Sequence, residues 1–141
     1  AVLLGRKTYE FAAGQTGAKG KGKKSKGKTS FGSGMKSYVF SRTLKNAADD
    51  NVHIVSENAG QFVRTLKKAA GKDIWLMGGG DLARSLLAEG VVDEISLAVH
   101  PVLLGSGLPL FPEIGKQVDL ELVECKAHPN GVVQVVYRVK N

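Results

Sequence analysis

Three consecutive glycines, Gly78, Gly79 and Gly80, are the residues whose type and spacing point most directly to chemistry. They separate an apolar run, residues 74–77, from a segment whose leucines and alanines recur at helical spacing. The first turn of a helix carries unpaired N–H groups, and glycine has no Cβ atom to keep an anion away from them. The triplet therefore predicts either a phosphate-binding turn or a tight turn that uses glycine only for its positive φ.

Cationic and hydroxyl-bearing residues stand at the ends of two other predicted strands. They are Gly5, Arg6, Lys7 and Thr8 after the first strand, and Ser41, Arg42 and Thr43 at the end of the second. Arginine suits a phosphate because its guanidinium offers paired donors. Two cationic turns and one glycine turn at equivalent strand ends favour a dinucleotide with a pyrophosphate and an additional 2′-phosphate.

The elements that position these groups alternate between strands and helices. Strands are predicted over residues 1–4, 37–41, 52–55, 74–77, 92–104, 118–126 and 132–139, and helices over residues 6–13, over 59–70 and after Gly80. The run 74–77 lacks polar alternation, which predicts a strand buried on both faces. Asn130-Gly131 predicts a hairpin turn. We expect an α/β fold, with a mixed, mostly parallel sheet flanked by helices, an antiparallel C-terminal hairpin, and ligands at the carboxyl ends of the strands.

Length and composition narrow the class of protein. A chain of 141 residues predicts one domain over residues 1–141. No apolar run approaches the roughly 18 residues that span a bilayer, and no signal peptide is recognised. The single cysteine, Cys125, cannot form an internal disulfide, which fits a reducing compartment. We therefore expect a cytoplasmic protein with no membrane partner.

A basic, Gly/Lys-rich segment, residues 14–36, carries most of the positive charge. The formal net charge is +7, and lysines within residues 19–28 supply six of these charges. This composition predicts a flexible, self-repelling loop. Residues 22–29 match the phosphate-loop pattern, but no strand pattern precedes them and no helix pattern follows, so triphosphate binding is not expected. A solvated linker without a role is favoured over attraction to polyanions, and nucleic-acid binding is not expected.

Six motifs, in this order, resemble those of the dihydrofolate-reductase-like family, closest to the reductase half of the riboflavin-biosynthesis deaminase/reductase. They are LLGRKTYE, YVFSRTL, DIWLMGGGDLARSLL, VDEI, HPVLLGSGLPLF and GVVQVVY. HPVLLGSGLPLF is the most specific of them, and only the basic loop departs strongly from the family pattern. The resemblance implies a mixed sheet flanked by helices, NADPH as cofactor, and hydride transfer to a small heterocyclic substrate, a pterin-like or ribosylaminopyrimidine ring.

By position, the resemblance assigns cofactor binding to the three strand-end groups. It places the 2′-phosphate at Ser41 and Arg42 and the pyrophosphate at the glycines, with a cis peptide bond between Gly78 and Gly79. An acidic residue suits a helix N-terminus, yet Asp81 would repel a phosphate unless its side chain points away. The residues predicted to contact NADPH are Gly5, Arg6, Lys7, Thr8, Ser41, Arg42, Gly78, Gly79, Gly80, Asp81 and Leu82.

The chemical step has no assigned residue. Hydride transfer requires a proton donor near the substrate ring, and no carboxylate stands in a motif for that role, so the catalytic residues are left open. We interpret His100 as structural and His53 and His128 as exposed. No His, Cys and Asp grouping has metal-ligand spacing, and no metal is predicted. The stretch from Leu103 to Phe111 is interpreted as a strand bend and a turn, with Phe111 packed inward.

The start of the chain bears on the choice between functions. In the family, an N-terminal strand, a mobile loop and a helix precede the GRKT strand, and Ala1 begins in the middle of that architecture. Three hypotheses follow: an NADPH-dependent reductase, if the N-terminal part exists; an NADP(H)-binding domain without turnover; and a polyanion-binding protein that acts through the lysine loop. The resemblance also implies a homodimer.

Overall fold

The computed structural model describes residues 1–16, 35–47 and 50–140. The predicted basic loop, residues 14–36, lies mostly outside the described residues, and its phosphate-loop pattern, residues 22–29, lies entirely outside them. The chain divides into two compact units, Ala1–Ala83 and Arg84–Asn141. A single domain over residues 1–141 stays a prediction.

A four-stranded parallel sheet organises the first unit, with the strand order β3-β2-β1-β4. The strands are β1 (Val2–Gly5), β2 (Ser37–Phe40), β3 (Val52–Val55) and β4 (Trp75–Leu76). The helices are α1 (Arg6–Thr16), α2 (Ala59–Lys68) and α3 (Gly80–Ala88). Because neighbouring strands are parallel and closely in register, the residues that follow them lie side by side at the carboxyl ends of the strands.

Helices α1 and α2 pack on opposite faces of this sheet. On one face, Tyr9 of α1 is buried in a cluster that includes Val39 of β2. On the other face, the Phe62 ring of α2 lies 5.0 Å from the Tyr38 ring and 5.7 Å from the Phe40 ring. Neighbouring residues of a strand point to opposite faces, so Val39 and its neighbours Tyr38 and Phe40 place the two helices on different sides. The sheet is thereby covered as in α/β proteins.

Helix α2 begins as its capping residues predict. Asn58 accepts a hydrogen bond from the Gln61 N–H through its side-chain oxygen at 2.8 Å, which satisfies one N–H group of the first turn. Helix α1 reaches Thr16, beyond the predicted end at residue 13. Helix ends commonly shift by a few residues because the terminal hydrogen bonds are weakly determined by sequence.

The prediction for residues 74–77 is wrong in two respects. Strand β4 contains only Trp75 and Leu76, and the Trp75 side chain is 55% exposed. Within the described part of the chain, β4 pairs with β1 alone and forms an edge of the sheet. An apolar run shows that a strand is present, but it does not show how many of its sides are covered.

The second unit contains an antiparallel sheet with the strand order β5-β7-β6. Its strands are β5 (Glu94–Val99), β6 (Leu120–Ala127) and β7 (Val133–Val139). The predicted hairpin turn joins β6 to β7: the His128 N–H donates to the Val132 carbonyl at 2.8 Å, and Gly131 has φ +83°. Parallel strands, flanking helices and this antiparallel finish confirm the predicted α/β class, with the described strands arranged in two hydrogen-bonded sheets.

The predicted strand over residues 92–104 is shorter than expected. Strand β5 ends at Val99, and residues 100–119 contain no helix or strand. Pro101 has no N–H group to donate to a ladder, and the Val102 N–H donates at 2.8 Å to the His100 carbonyl, which turns the chain. Phe111, predicted to pack inward, is 37% exposed. The proline was the sequence signal for this strand end.

Candidate functional site

The glycine turn after β4 has a backbone that only glycine adopts readily. Gly78 and Gly79 have φ values of +117° and +96°, in the region that L side chains rarely enter. The predicted cis bond between them is wrong, because the peptide is trans. A cis bond without proline costs about 3 kcal/mol, and the two positive φ values turn the chain without it.

This turn lies directly against the end of β1. The Gly5 N–H donates to the Gly78 carbonyl at 3.3 Å. A Cβ atom on Gly79 would stand 3.5 Å from the Gly5 Cα, and one on Gly5 would stand 3.7 Å from the Gly79 Cα. These are ordinary van der Waals separations, so the φ of Gly79, rather than the lack of space, is what requires glycine there.

Two further predicted residues border the turn. Thr8, in the first turn of α1, is half-buried, and its Oγ1 atom lies 3.6 Å from the Cβ position of Gly79. Leu82 is buried, and its Cβ lies 4.0 Å from the Cβ position of Gly5. The structure thus gathers five of the predicted residues in one place: Gly5, Thr8, Gly78, Gly79 and Leu82.

Two helices begin at this point, each directly after one of two adjacent parallel strands. Helix α1 starts at Arg6 after β1, and α3 starts at Gly80 after β4 and its glycine turn. Each helix N-terminus carries unpaired N–H groups and about half a unit of positive charge, which attracts anions. Asp81 is exposed in the first turn of α3, where a carboxylate stabilises the helix. The arrangement provides backbone donors for a phosphate group.

Arg6 and Lys7 are exposed at the start of α1, and Arg6 has a partner that the sequence interpretation missed. The Arg6 Nη1 lies 3.3 Å from the Glu10 Oε1, with both side chains nearly half exposed. The spacing of four residues along a helix was the signal for this ion pair. A phosphate at Arg6 would therefore compete with the Glu10 carboxylate.

The turn after β2 is held by a serine hydroxyl. Ser41 Oγ accepts hydrogen bonds from the Thr43 N–H at 3.2 Å and the Leu44 N–H at 2.9 Å, a local turn typical of serine. Its neighbour Arg42 is exposed. Phe40 pairs with Gly5, so Ser41 and Arg42 lie at the carboxyl ends of the strands, as the glycine turn does. They follow β2, which is on the other side of β1 from β4.

In the described ranges of the chain, neither a metal-ligand cluster of three or more side chains nor a membrane-spanning helix is present. No group of three or more His, Cys, Asp and Glu side chains there is arranged to hold a metal ion. No helix among those residues is long and apolar enough to cross a membrane. The catalytic residues stay unassigned.

Comparison with known proteins gives the chain its family. Residues 1–134 match the RibD C-terminal domain family. The chain is 44% identical over 102 residues to the uncharacterized protein YyaP of Bacillus subtilis (strain 168). The aligned residues cover 72% of this chain and 54% of YyaP. The chain is 37% identical over 89 residues to the uncharacterized protein YwjB of the same organism, covering 63% and 51%. The chain thus spans about half the length of these relatives.

Two solved structures share the fold. A putative riboflavin biosynthesis protein from Shewanella sp. PV-4 is similar with a TM-score of 0.77 at 20% identity, covering 99% of this chain and 73% of that one. A pyrimidine reductase-like protein (DIP1392) from Corynebacterium diphtheriae NCTC is similar with a TM-score of 0.58 at 18% identity, covering 100% and 76%. At these identities the two structures support the fold alone. By the match over residues 1–134, the chain belongs to the RibD C-terminal domain family.

Proposed function

We propose that this protein is an NADPH-dependent reductase that transfers a hydride to a pterin-like or ribosylaminopyrimidine ring. The observation that carries the proposal is the packing of Gly5 and Thr8 against Gly78 and Gly79, where two helices begin. This geometry suits the pyrophosphate of a dinucleotide, since backbone N–H groups can approach it without interference from side chains.

The preference for NADPH over NADH rests on the turn after β2. Arg42 is exposed there, beside a serine whose oxygen already orders the local backbone. The pyrophosphate would therefore bind at the glycine turn, which lies against the end of β1, and the 2′-phosphate would bind at Arg42, after the neighbouring strand β2. An arginine fork binds a phosphate through paired charge-assisted hydrogen bonds.

The substrate class rests on the family and on the names of similar proteins. The family is that of the RibD C-terminal domain, and the similar structures are called a putative riboflavin biosynthesis protein and a pyrimidine reductase-like protein. We therefore place the reaction in riboflavin-type metabolism, with a reducible nitrogen heterocycle as the substrate. An NADP(H)-binding domain without turnover is the alternative, because no proton donor is assigned among the described residues.

The test separates binding from turnover. NADPH oxidation is followed with the full-length natural protein, using a ribosylaminopyrimidine and a dihydropterin as separate substrates. We expect oxidation that depends on one of these substrates and on NADPH. Tight NADPH binding without oxidation by either substrate would favour the binding domain over the reductase.

Two further expectations belong with this proposal. Assembly as a homodimer stays a prediction, and sedimentation velocity over a range of concentrations tests it. A cytoplasmic location also stays a prediction, and fractionation of cells that express the natural protein tests it.

A further inference from the structure

The antiparallel sheet of the second unit has an open, solvent-facing depression of about 440 Å³ at its hairpin end, called the pocket below. Strand β5 and the residue after it contribute Ser96 and His100, and β7 contributes Gln134. The hairpin contributes His128 and Asn130. The residues lining the pocket include two imidazoles and no Asp, Glu, Lys or Arg. Two of the three histidines of the chain therefore line one pocket, although they are separated in sequence.

The strand register explains why the two histidines line the same pocket. Val99, Val133 and Ala127 form one row across β5, β7 and β6. The next residues form the following row, with His100 and His128 on either side of Val132. Adjacent strands lie about 4.8 Å apart, so the two histidine Cα atoms are separated by roughly 10 Å, with both side chains on one face.

The backbone around both histidines is held by contacts that need no ligand. A Cβ atom on Gly131 would lie 3.2 Å from the Cγ of Pro101, so the hairpin turn is packed against the residue after His100. The His128 N–H donates to the Val132 carbonyl at 2.8 Å, and Asn130 Oδ1 accepts from the Val132 N–H at 3.2 Å. The backbone that carries both histidines is thus held in place without an ion.

Imidazole nitrogen is a preferred ligand of Zn²⁺, Ni²⁺ and Cu²⁺, whereas Mg²⁺ and Ca²⁺ prefer the carboxylate oxygens that this pocket lacks. The nearest charged side chains on this face of β6, Lys126 and Glu124, are opposite in sign. We propose that His100 and His128 together bind one divalent transition-metal ion. The carboxamide oxygen of Gln134 and water complete its coordination.

This site differs from a structural or catalytic zinc centre, which has three or four protein ligands. Because only two imidazoles hold the ion here, we expect it to exchange with solvent and to keep open coordination positions. The proposal concerns the second unit only, and it does not depend on the proposed reductase function.

The test is calorimetric titration of the full-length protein with Ni²⁺ alone, in a buffer that does not bind metals. The protein carries Cys125→Ser, because that thiol is exposed on the opposite face of the sheet and would bind metal separately. We expect one ion per chain with a micromolar dissociation constant. His100→Gln and His128→Gln are each expected to weaken binding by at least about tenfold, since loss of a group behind a metal ligand already costs about 10–100-fold.

The third histidine gives the matched control. His53 lies on β3 of the first unit, exposed and 5.5 Å from the Tyr38 ring, and His53→Gln should leave the Ni²⁺ affinity unchanged. A second measurement uses the protein with both pocket histidines intact: Cu²⁺ should broaden the NMR signals of residues 98–100 and 128–134 first. Absence of binding, broadening centred elsewhere, or unchanged affinity in the double variant His100→Gln/His128→Gln would overturn the proposal.

Discussion

A Cβ atom on Gly79 would stand 3.5 Å from the Cα of Gly5, and Gly79 has φ +96°. Gly5 ends β1, Gly79 lies in the turn after the neighbouring parallel strand β4, and each glycine directly precedes the start of a helix. Their contact brings the N-termini of α1 and α3 to the same edge of the sheet. Both the stability of the turn and its capacity to bind a phosphate should therefore depend on Gly79.

Gly79→Ala should lower the free energy of unfolding by about 1–3 kcal/mol, since that is the cost of holding a residue with a side chain in a sparsely populated backbone region. Urea denaturation followed by circular dichroism measures the change. The same substitution should weaken NADPH binding, because any relief of the strain moves the N–H groups of the turn.

Two other glycines separate these effects. Gly71 has a negative φ and no atom within 4 Å of its Cβ position, so Gly71→Ala should leave both stability and NADPH affinity unchanged. Gly115 has φ +79° in open space, so Gly115→Ala should reduce stability without reducing NADPH affinity. Equal effects of Gly79→Ala and Gly71→Ala would contradict the role assigned to the turn.

Arg42→Gln should weaken NADPH binding by about tenfold, equivalent to about 1.4 kcal/mol, and leave NADH binding unchanged. The reason is that only NADPH carries the 2′-phosphate that the Arg42 guanidinium is proposed to bind. Fluorescence titration with both cofactors measures the ratio. The control is Lys72→Gln, which also removes one positive charge. Lys72 is exposed and precedes β4, so it lies at the end of that strand away from the glycine turn. A parallel loss of NADH and NADPH affinity in Arg42→Gln would point to a general charge effect instead.

Glu10→Gln should strengthen NADPH binding by a few-fold at low salt, because it frees Arg6 from its carboxylate partner and removes a negative charge near the phosphates. The exposed pair itself contributes only about 0.3–0.5 kcal/mol to stability, so the unfolding midpoint should hardly change. Titrations at two salt concentrations test the electrostatic origin, since screening reduces the effect. Weaker NADPH binding in this variant would mean that Glu10 orients Arg6 for the cofactor.

Gly131→Ala should destabilise the protein by about 1–3 kcal/mol through its φ of +83°, with further strain because its Cβ would stand 3.2 Å from the Pro101 Cγ. The comparison with Gly115→Ala isolates the second contribution, since Gly115 has a similar φ and no neighbour. Thermal unfolding measures both. If the two variants lose equal stability, the Pro101 ring moves aside at no cost.

The sequence predicted the elements of the candidate site better than their surroundings. The turn at Gly78–Gly80 could be predicted because a positive φ favours glycine and a helix gives a regular spacing of apolar residues. Both signals lie in the local sequence. The exposure of Trp75 could not be predicted, since it depends on which strands lie beside β4. The pairing of His100 with His128 also had no local signal, because it depends on the register of three strands across a sheet.

The central claim is that the glycine turn and the turn after β2 bind NADPH, and Trp75 offers the most direct measurement. It is the single tryptophan of the chain, it is 55% exposed, and it lies in β4, three residues before Gly78. Energy transfer from Trp75 to the nicotinamide should saturate at one NADPH per chain, with an affinity at least about tenfold higher than that for NADH. Absence of saturable transfer, or equal affinity for the two cofactors, would contradict the account.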